Sequence, residues 1–137
     1  MIAAGISQSS LSRRGSVAIM LLALLVEPAF AFGETAVTNA EIGRLMTSLR
    51  SSSCEFNRNG SWHASRDAHD HILKKLNYVR GRTTIPNAEY FIREVATRSS
   101  FSDKPYLVRC RGTPVRECHG WLMDELSRTR ASASPPS

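Results

Sequence analysis

A chain of 137 residues, 42% hydrophobic and 22% charged, is long enough for one domain with a single modest core and too apolar to be a disordered chain. Its net charge of +6 suits anionic partners, but the basic residues are scattered and no basic stripe is interleaved with aromatics, which argues against nucleic acid. The three cysteines form no C-x-x-C, so neither a zinc ribbon nor a thioredoxin-like redox motif is indicated.

The N-terminus has the order of an export signal. Arg13 and Arg14 precede an apolar run from Gly15 to Val26, Pro28 breaks the run, and Ala29-Phe30-Ala31 supplies the small residues of a cleavage site. The run is short of the ~20 residues that span a bilayer. Residues 1–31 therefore read as a signal peptide cut between Ala31 and Phe32, which places the protein in the periplasm. The mature chain would have 106 residues, a net charge of +5 and no transmembrane anchor. The Arg-Arg pair raises the twin-arginine route, but Ser16 stands where that signal has a bulky apolar residue, which favours the ordinary secretory route.

After a short lead-in, Thr38-Asn39-Ala40-Glu41 reads as a capping box, and Ile42, Leu45, Met46 and Leu49 follow on one face of a first helix. Cys54 to Arg58 alternates and reads as a short extended segment, ended by the turn dipeptide Asn59-Gly60. Ser61 is then expected to cap a second helix, about Trp62 to Arg80, with Ala64, Ala68, Ile72, Leu76 and Val79 as a narrow apolar stripe. Asn87 caps a third, about Ala88 to Arg98, buried through Ala88, Phe91, Ile92 and Val95. Ser99 to Pro105 is turn-rich, Tyr106 to Cys110 is a second extended piece, and a last helix runs from near Glu117 to Arg128, with Trp121, Leu122 and Leu126 inward. Residues 131–137 offer nothing to bury and are expected to be disordered. The expectation is a single domain over 32–130, mainly α with minor β: four short helices and a two-stranded β-ribbon. Each extended piece carries a cysteine, Cys54 or Cys110, and pairing the strands would bring the sulfurs together.

Taken in order, several motifs resemble a family of small bacterial exported proteins carried only as a domain of unknown function, with enterobacterial members. They are Cys54-x-Phe56-x-Arg58-Asn59-Gly60-x-Trp62, Ala68-x-x-His71-Ile72-x-x-Lys75, Glu89-x-Phe91-Ile92, Ser99-Ser100-x-Ser102-x-Lys104-Pro105-Tyr106-x-Val108-x-Cys110, and Trp121-Leu122. The similarity spans about Ile42 to Arg130. It implies a periplasmic location and one small domain, and no activity. The family pattern has glycine where this chain has Asp103, a residue that tolerates the left-handed conformation better than most. Cys54 and Cys110 fall within these motifs and Cys118 does not, so the expected disulfide is Cys54–Cys110 with Cys118 as the odd thiol. The competing pairing, Cys110–Cys118, would close a loop of only nine residues.

Three kinds of chemistry compete for the polar residues. His63, Asp67 and His71 would share a helix face at i, i+4, i+8, but the outer two are too far apart to grip one metal ion and no H-E-x-x-H occurs, so neither metal nor cofactor is expected. A small hydrolase would use His71 as base and the turn Ser99, Ser100, Ser102 for its nucleophile, but no G-x-S-x-G elbow is present. The third reading is a binding platform built on Arg58, Asn59, Ser61 and Trp62, joined by His71, Lys75, Ser99, Ser100, Lys104 and Tyr106. An arginine fork, an aromatic face and backbone N–H groups at a helix N-terminus suit a phosphate or carboxylate. For the stretch Arg58 to Trp62 the structural reading is preferred, since Asn59-Gly60 makes the turn, Ser61 caps the helix and Trp62 packs the core. The leading expectation is a non-enzymatic binding domain for an anionic envelope component or a periplasmic protein.

Overall fold

The computed structural model describes residues 34–135 and, by itself, Gly5. The expected export signal, apart from Gly5, and its expected cleavage site lie outside the described residues. Helix α1 (Ala36–Ser51) leads into a hairpin of β1 (Glu55–Arg58) and β2 (Ser61–Ala64), followed by α2 (Ser65–Arg80). A single turn, α3 (Ala88–Tyr90), continues directly as a π-helix (Phe91–Ala96). Strands β3 (Leu107–Arg109) and β4 (Arg116–Glu117) then precede α4 (Cys118–Ala133).

The fold is α+β, which corrects the expected two-stranded ribbon. β1 pairs antiparallel with both β2 and β3, and β3 with β4, giving a four-stranded sheet in the order β2-β1-β3-β4. Asn59 and Gly60 both have positive φ (51° and 90°), the two-residue hairpin turn whose twist matches that of its strands. Such a turn returns the chain as a strand. Ser61 therefore sits on β2 instead of capping a helix, and α2 begins three residues later than expected, after Ala64.

Other boundaries move for local reasons. Thr35, not Thr38, caps α1: its hydroxyl accepts from the Thr38 N–H at 3.1 Å, while Thr38 is buried and donates to the Pro86 carbonyl. The third helix widens into a π-helix over six residues, and the Thr97 hydroxyl donates to the Ile92 carbonyl, five residues back, at 2.7 Å. The wider turn buries Phe91, Ile92, Val95 and Ala96 together. Helix α4 runs on to Ala133, three residues into the stretch expected to be disordered. There Ser132 and Ser134 donate to the carbonyls of Arg128 and Arg130 one turn earlier.

The apolar faces read from the sequence meet in one core. Ile42, Leu45, Met46 and Leu49 of α1 join Ile72 and Leu76 of α2, Phe91, Ile92 and Val95 of the π-helix, and Trp121, Leu122 and Leu126 of α4. Phe56 and Val108, directly opposed on β1 and β3, close the core from the sheet side, and Phe56 meets the edge of Trp121 with ring centroids 5.6 Å apart. Guanidinium contacts tie the helices together at the surface: Arg80 of α2 bonds Glu34, just ahead of α1, and Asn39 on α1, while Arg130 of α4 bonds Glu41 of α1 and Glu89 of α3. Among the described residues no helix is long and apolar enough to cross a membrane.

Candidate functional site

The inward face of the β1–β3 ladder sets out the site. Phe56 faces Val108, and the register continued one pair either way sets Cys54 opposite Cys110 and Arg58 opposite Tyr106. At one end the cysteines are disulfide-bonded, with Cα atoms 4.2 Å apart. This is the pairing expected from the strands and motifs. Cys118 is buried at the start of α4, and burial pushes its thiol pKa up to about 12. It is therefore a protonated core side chain, and the intermolecular cross-link that an odd cysteine invites is sterically closed.

At the other end the ladder opens into a cleft of about 260 Å³ lined by Arg58, Asn59, His71, Lys75, Ser99, Ser100, Phe101 and Tyr106. Helix α2 supplies His71 and Lys75, one turn apart and so on one face. The His71 Nε2 nitrogen lies 3.2 Å from the Tyr106 hydroxyl, in hydrogen-bond contact. The Lys75 ammonium stands 5.2 Å from the centroid of the Tyr106 ring and donates to the Arg98 carbonyl at 2.6 Å. Burial, then the charges of Arg58, Lys75, His63 and Lys74, lower the His71 pKa to about 4, so its ring is neutral at pH 7. Burial, then Arg58 and Arg98, bring Lys75 down to about 8.

The 99–104 loop forms the opposite wall and is tied down at several points. The Ser99 hydroxyl, in a residue only 4% exposed, accepts from the backbone N–H groups of Phe101 and Ser102 and from Asn59 Nδ2. The Ser102 hydroxyl donates to Asn59 Oδ1 at 2.6 Å. Asn59 thus joins the hairpin turn to the loop through both atoms of its amide. Asp103 adopts φ 58°, the left-handed conformation that glycine would take there, and its carboxylate pairs with Arg98 at 3.0 Å.

Seven of the residues singled out in the sequence thus line one cleft: Arg58, Asn59, His71, Lys75, Ser99, Ser100 and Tyr106. Three do not. Ser61 is exposed on β2, Lys104 is exposed at the end of the loop, and the Trp62 ring is capped by the Arg109 guanidinium at 4.1 Å. The helix N-terminus expected beside Arg58 begins only at Ser65, so it is not part of that stretch. His63 stands on β2, which breaks the helical row of His63, Asp67 and His71. Among the described residues, the hydrogen bonds of His71 and of the serine turn do not join them: His71 contacts Tyr106, and Ser99 serves as an acceptor for three donors. Sequence reasoning missed Phe101, 98% exposed at the cleft's rim. An aromatic between serines in an otherwise polar turn was the available signal.

Electrostatically the cleft is one-sided. Arg58 and Lys75 are both half-buried in its wall, and no carboxylate lines it. The hydroxyl of Tyr106 and the neutral ring of His71 add polar contacts without adding charge. Such a set can hold an anion by paired charge and hydrogen bonds.

A curated relative from Salmonella typhimurium, described as the uncharacterized protein YfeK, is 36% identical over 91 residues, which cover 66% of this chain and 73% of the relative. No solved structure gives a significant match. The family model described as Family of unknown function (DUF5329) matches residues 36–130, from the first residue of α1 to Arg130 on α4. That match takes in both walls of the cleft and the disulfide, and the chain belongs to this family.

Proposed function

We propose that the protein is an exported, periplasmic binding domain, not an enzyme, and that its cleft holds a phosphate or carboxylate carried by an anionic component of the cell envelope. The observation that carries this reading is the pair Arg58 and Lys75, half-buried in a cleft with no carboxylate among its lining residues. Taking two cations out of water without a counter-charge is unfavourable. An incoming anion would reverse that cost. The depressed pKa of Lys75, about 8, expresses the same strain: burial and the neighbouring Arg58 weaken its hold on the proton.

Two further observations support binding over catalysis. The most buried serine of the turn is held as an acceptor by three donors, and His71 hydrogen-bonds a phenol. A serine nucleophile needs a base within reach of its hydroxyl proton. The export reading is supported by the Cys54–Cys110 disulfide, a bond that persists in oxidising compartments, and by the signal-like order of residues 1–31.

The test is a titration of the ¹⁵N-labelled protein with inorganic phosphate and with glycerol phosphate, followed by NMR. Saturable shifts confined to the cleft, at Arg58, His71, Lys75, Ser99 and Tyr106, are expected, and their loss in Arg58→Gln. Shifts scattered over the surface arginines, or none at all, would refute the reading.

A further inference from the structure

The reading of the cleft as an anion site leaves Phe101 unexplained. Its side chain is 98% exposed, the most exposed of the large hydrophobic residues among those described. The other prominent exposed aromatic, Tyr78, is covered on one face by the Arg82 guanidinium at 3.5 Å. Phe101 lies instead at the rim of the cleft, beside Arg58 and Lys75.

Its exposure is built in. The backbone N–H of Phe101 donates to the buried Ser99 hydroxyl. The loop is closed at its base by Ser99 N–H to the Lys104 carbonyl and by Asp103 N–H to the Ser99 carbonyl, each at 2.9 Å. Ser102 is fastened to Asn59, and Asp103 to Arg98. With both ends and its centre held, the loop keeps the phenyl ring in water. The one carboxylate of the loop, Asp103, is engaged by Arg98, while Lys104 next to it is exposed.

We infer that the cleft takes its anion from the phosphate of an anionic phospholipid at a bilayer surface, with Phe101 entering the interfacial layer beside the bound headgroup. The inference rests on the anion reading above. The chemistry fits on two counts. Arg58, Lys75 and Lys104 present positive charge to a negatively charged surface, and a rigidly displayed aromatic ring loses little conformational freedom when it enters the apolar layer. A free phosphate would use the cleft and leave the ring in water. A phosphate on a lipid uses both.

The experiment is flotation of the protein recovered from expressing cells, with vesicles of phosphatidylethanolamine with or without phosphatidylglycerol. Phe101→Ala and Arg58→Gln are run beside the wild type, and the phosphate titration is repeated on each. All three share the same N-terminal segment, so differences among them report the loop and the cleft. Wild type is expected to float with phosphatidylglycerol-containing vesicles and far less without that lipid. Phe101→Ala should lower its partition about tenfold, from the lost burial of the ring, while keeping the phosphate-induced shifts. Arg58→Gln should lower partition about fivefold and lose those shifts. Flotation of Phe101→Ala equal to wild type, or partition indifferent to phosphatidylglycerol, would overturn the inference. A wild type that binds phosphate yet ignores the vesicles would overturn it while leaving the anion site standing, and binding to neither would remove both.

Discussion

The β1–β3 ladder ends differently at its two edges. At one end the inward pair is Cys54 and Cys110, joined covalently and packed against the core. At the other it is Arg58 and Tyr106, a cation and a phenol at the mouth of a cleft. Phe56 and Val108 lie between them. Two antiparallel strands thus carry a staple, a core pair and a polar pair in sequence, and each kind of residue implies a different duty. The stapled end should carry stability and little recognition. The open end should carry recognition and little stability.

The largest effect is expected at the stapled end. The disulfide closes a loop with a sequence separation of 56. In the chain-entropy view a loop of that size stabilises the fold by about 4 kcal/mol. Cys54→Ala should lower the unfolding free energy by that order in urea titration, and a loss near zero would show that the staple is dispensable. Cys118→Ala removes a small buried thiol that makes no covalent link, and should cost far less.

At the open end the signs exchange. Arg58→Gln and Lys75→Gln should each weaken phosphate binding roughly tenfold, in line with the loss of one charge-assisted contact of about 1.5 kcal/mol, and leave the melting temperature unchanged or slightly higher. A marked drop in melting temperature for either variant would mean that the cations serve the scaffold.

The contrast was only partly legible in the sequence. The faces of α1, α2 and α4 were, because Ile42, Leu45, Met46 and Leu49, or Ile72 and Leu76, recur at helical spacing whatever their surroundings. The disulfide followed from two short extended segments that each carry a cysteine. β2 was missed because Trp62-His63-Ala64 is as compatible with a helix start as with a strand. The Asn59-Gly60 turn was the better guide, since it returns a strand. β4, two residues long, is too short for any periodicity to show. In the cleft, His71 and Lys75 were visible as a helical pair, but the ring of Phe101 was not, because full exposure depends on the loop's tethers and not on residue type. Trp62 lies outside the cleft, with Arg109, distant in sequence, over its ring.

Acid should separate the two ends further. The folded-state pKa of His71, about 4, lies below its ordinary value of 6.5, so the unfolded chain takes up that proton first as the pH falls. The associated stability is present above pH 6.5 and is lost as the pH drops through 4. His71→Gln should flatten that part of the stability–pH curve, as measured by thermal melts. An unchanged curve would place the acid-sensitive group elsewhere.

The smallest effect belongs to the cations that already have partners. Arg130 bonds Glu41 and Glu89, and its side chain is about half exposed, so Arg130→Gln should cost no more than ~1 kcal/mol in urea titration. Phosphate binding should be untouched. A larger loss of binding than at Arg58 would reverse the assignment of which arginine recognises a ligand.

The charge state of Lys75 tests the central claim most directly. Burial, Arg58 and Arg98 hold its pKa at about 8, and a bound anion between Arg58 and Lys75 would favour the protonated form. NMR titration of the Lys75 ammonium, with and without saturating phosphate, should show the pKa rising with the anion present, and phosphate affinity falling as the pH passes 8. A Lys75 pKa indifferent to phosphate would contradict an anion in this cleft.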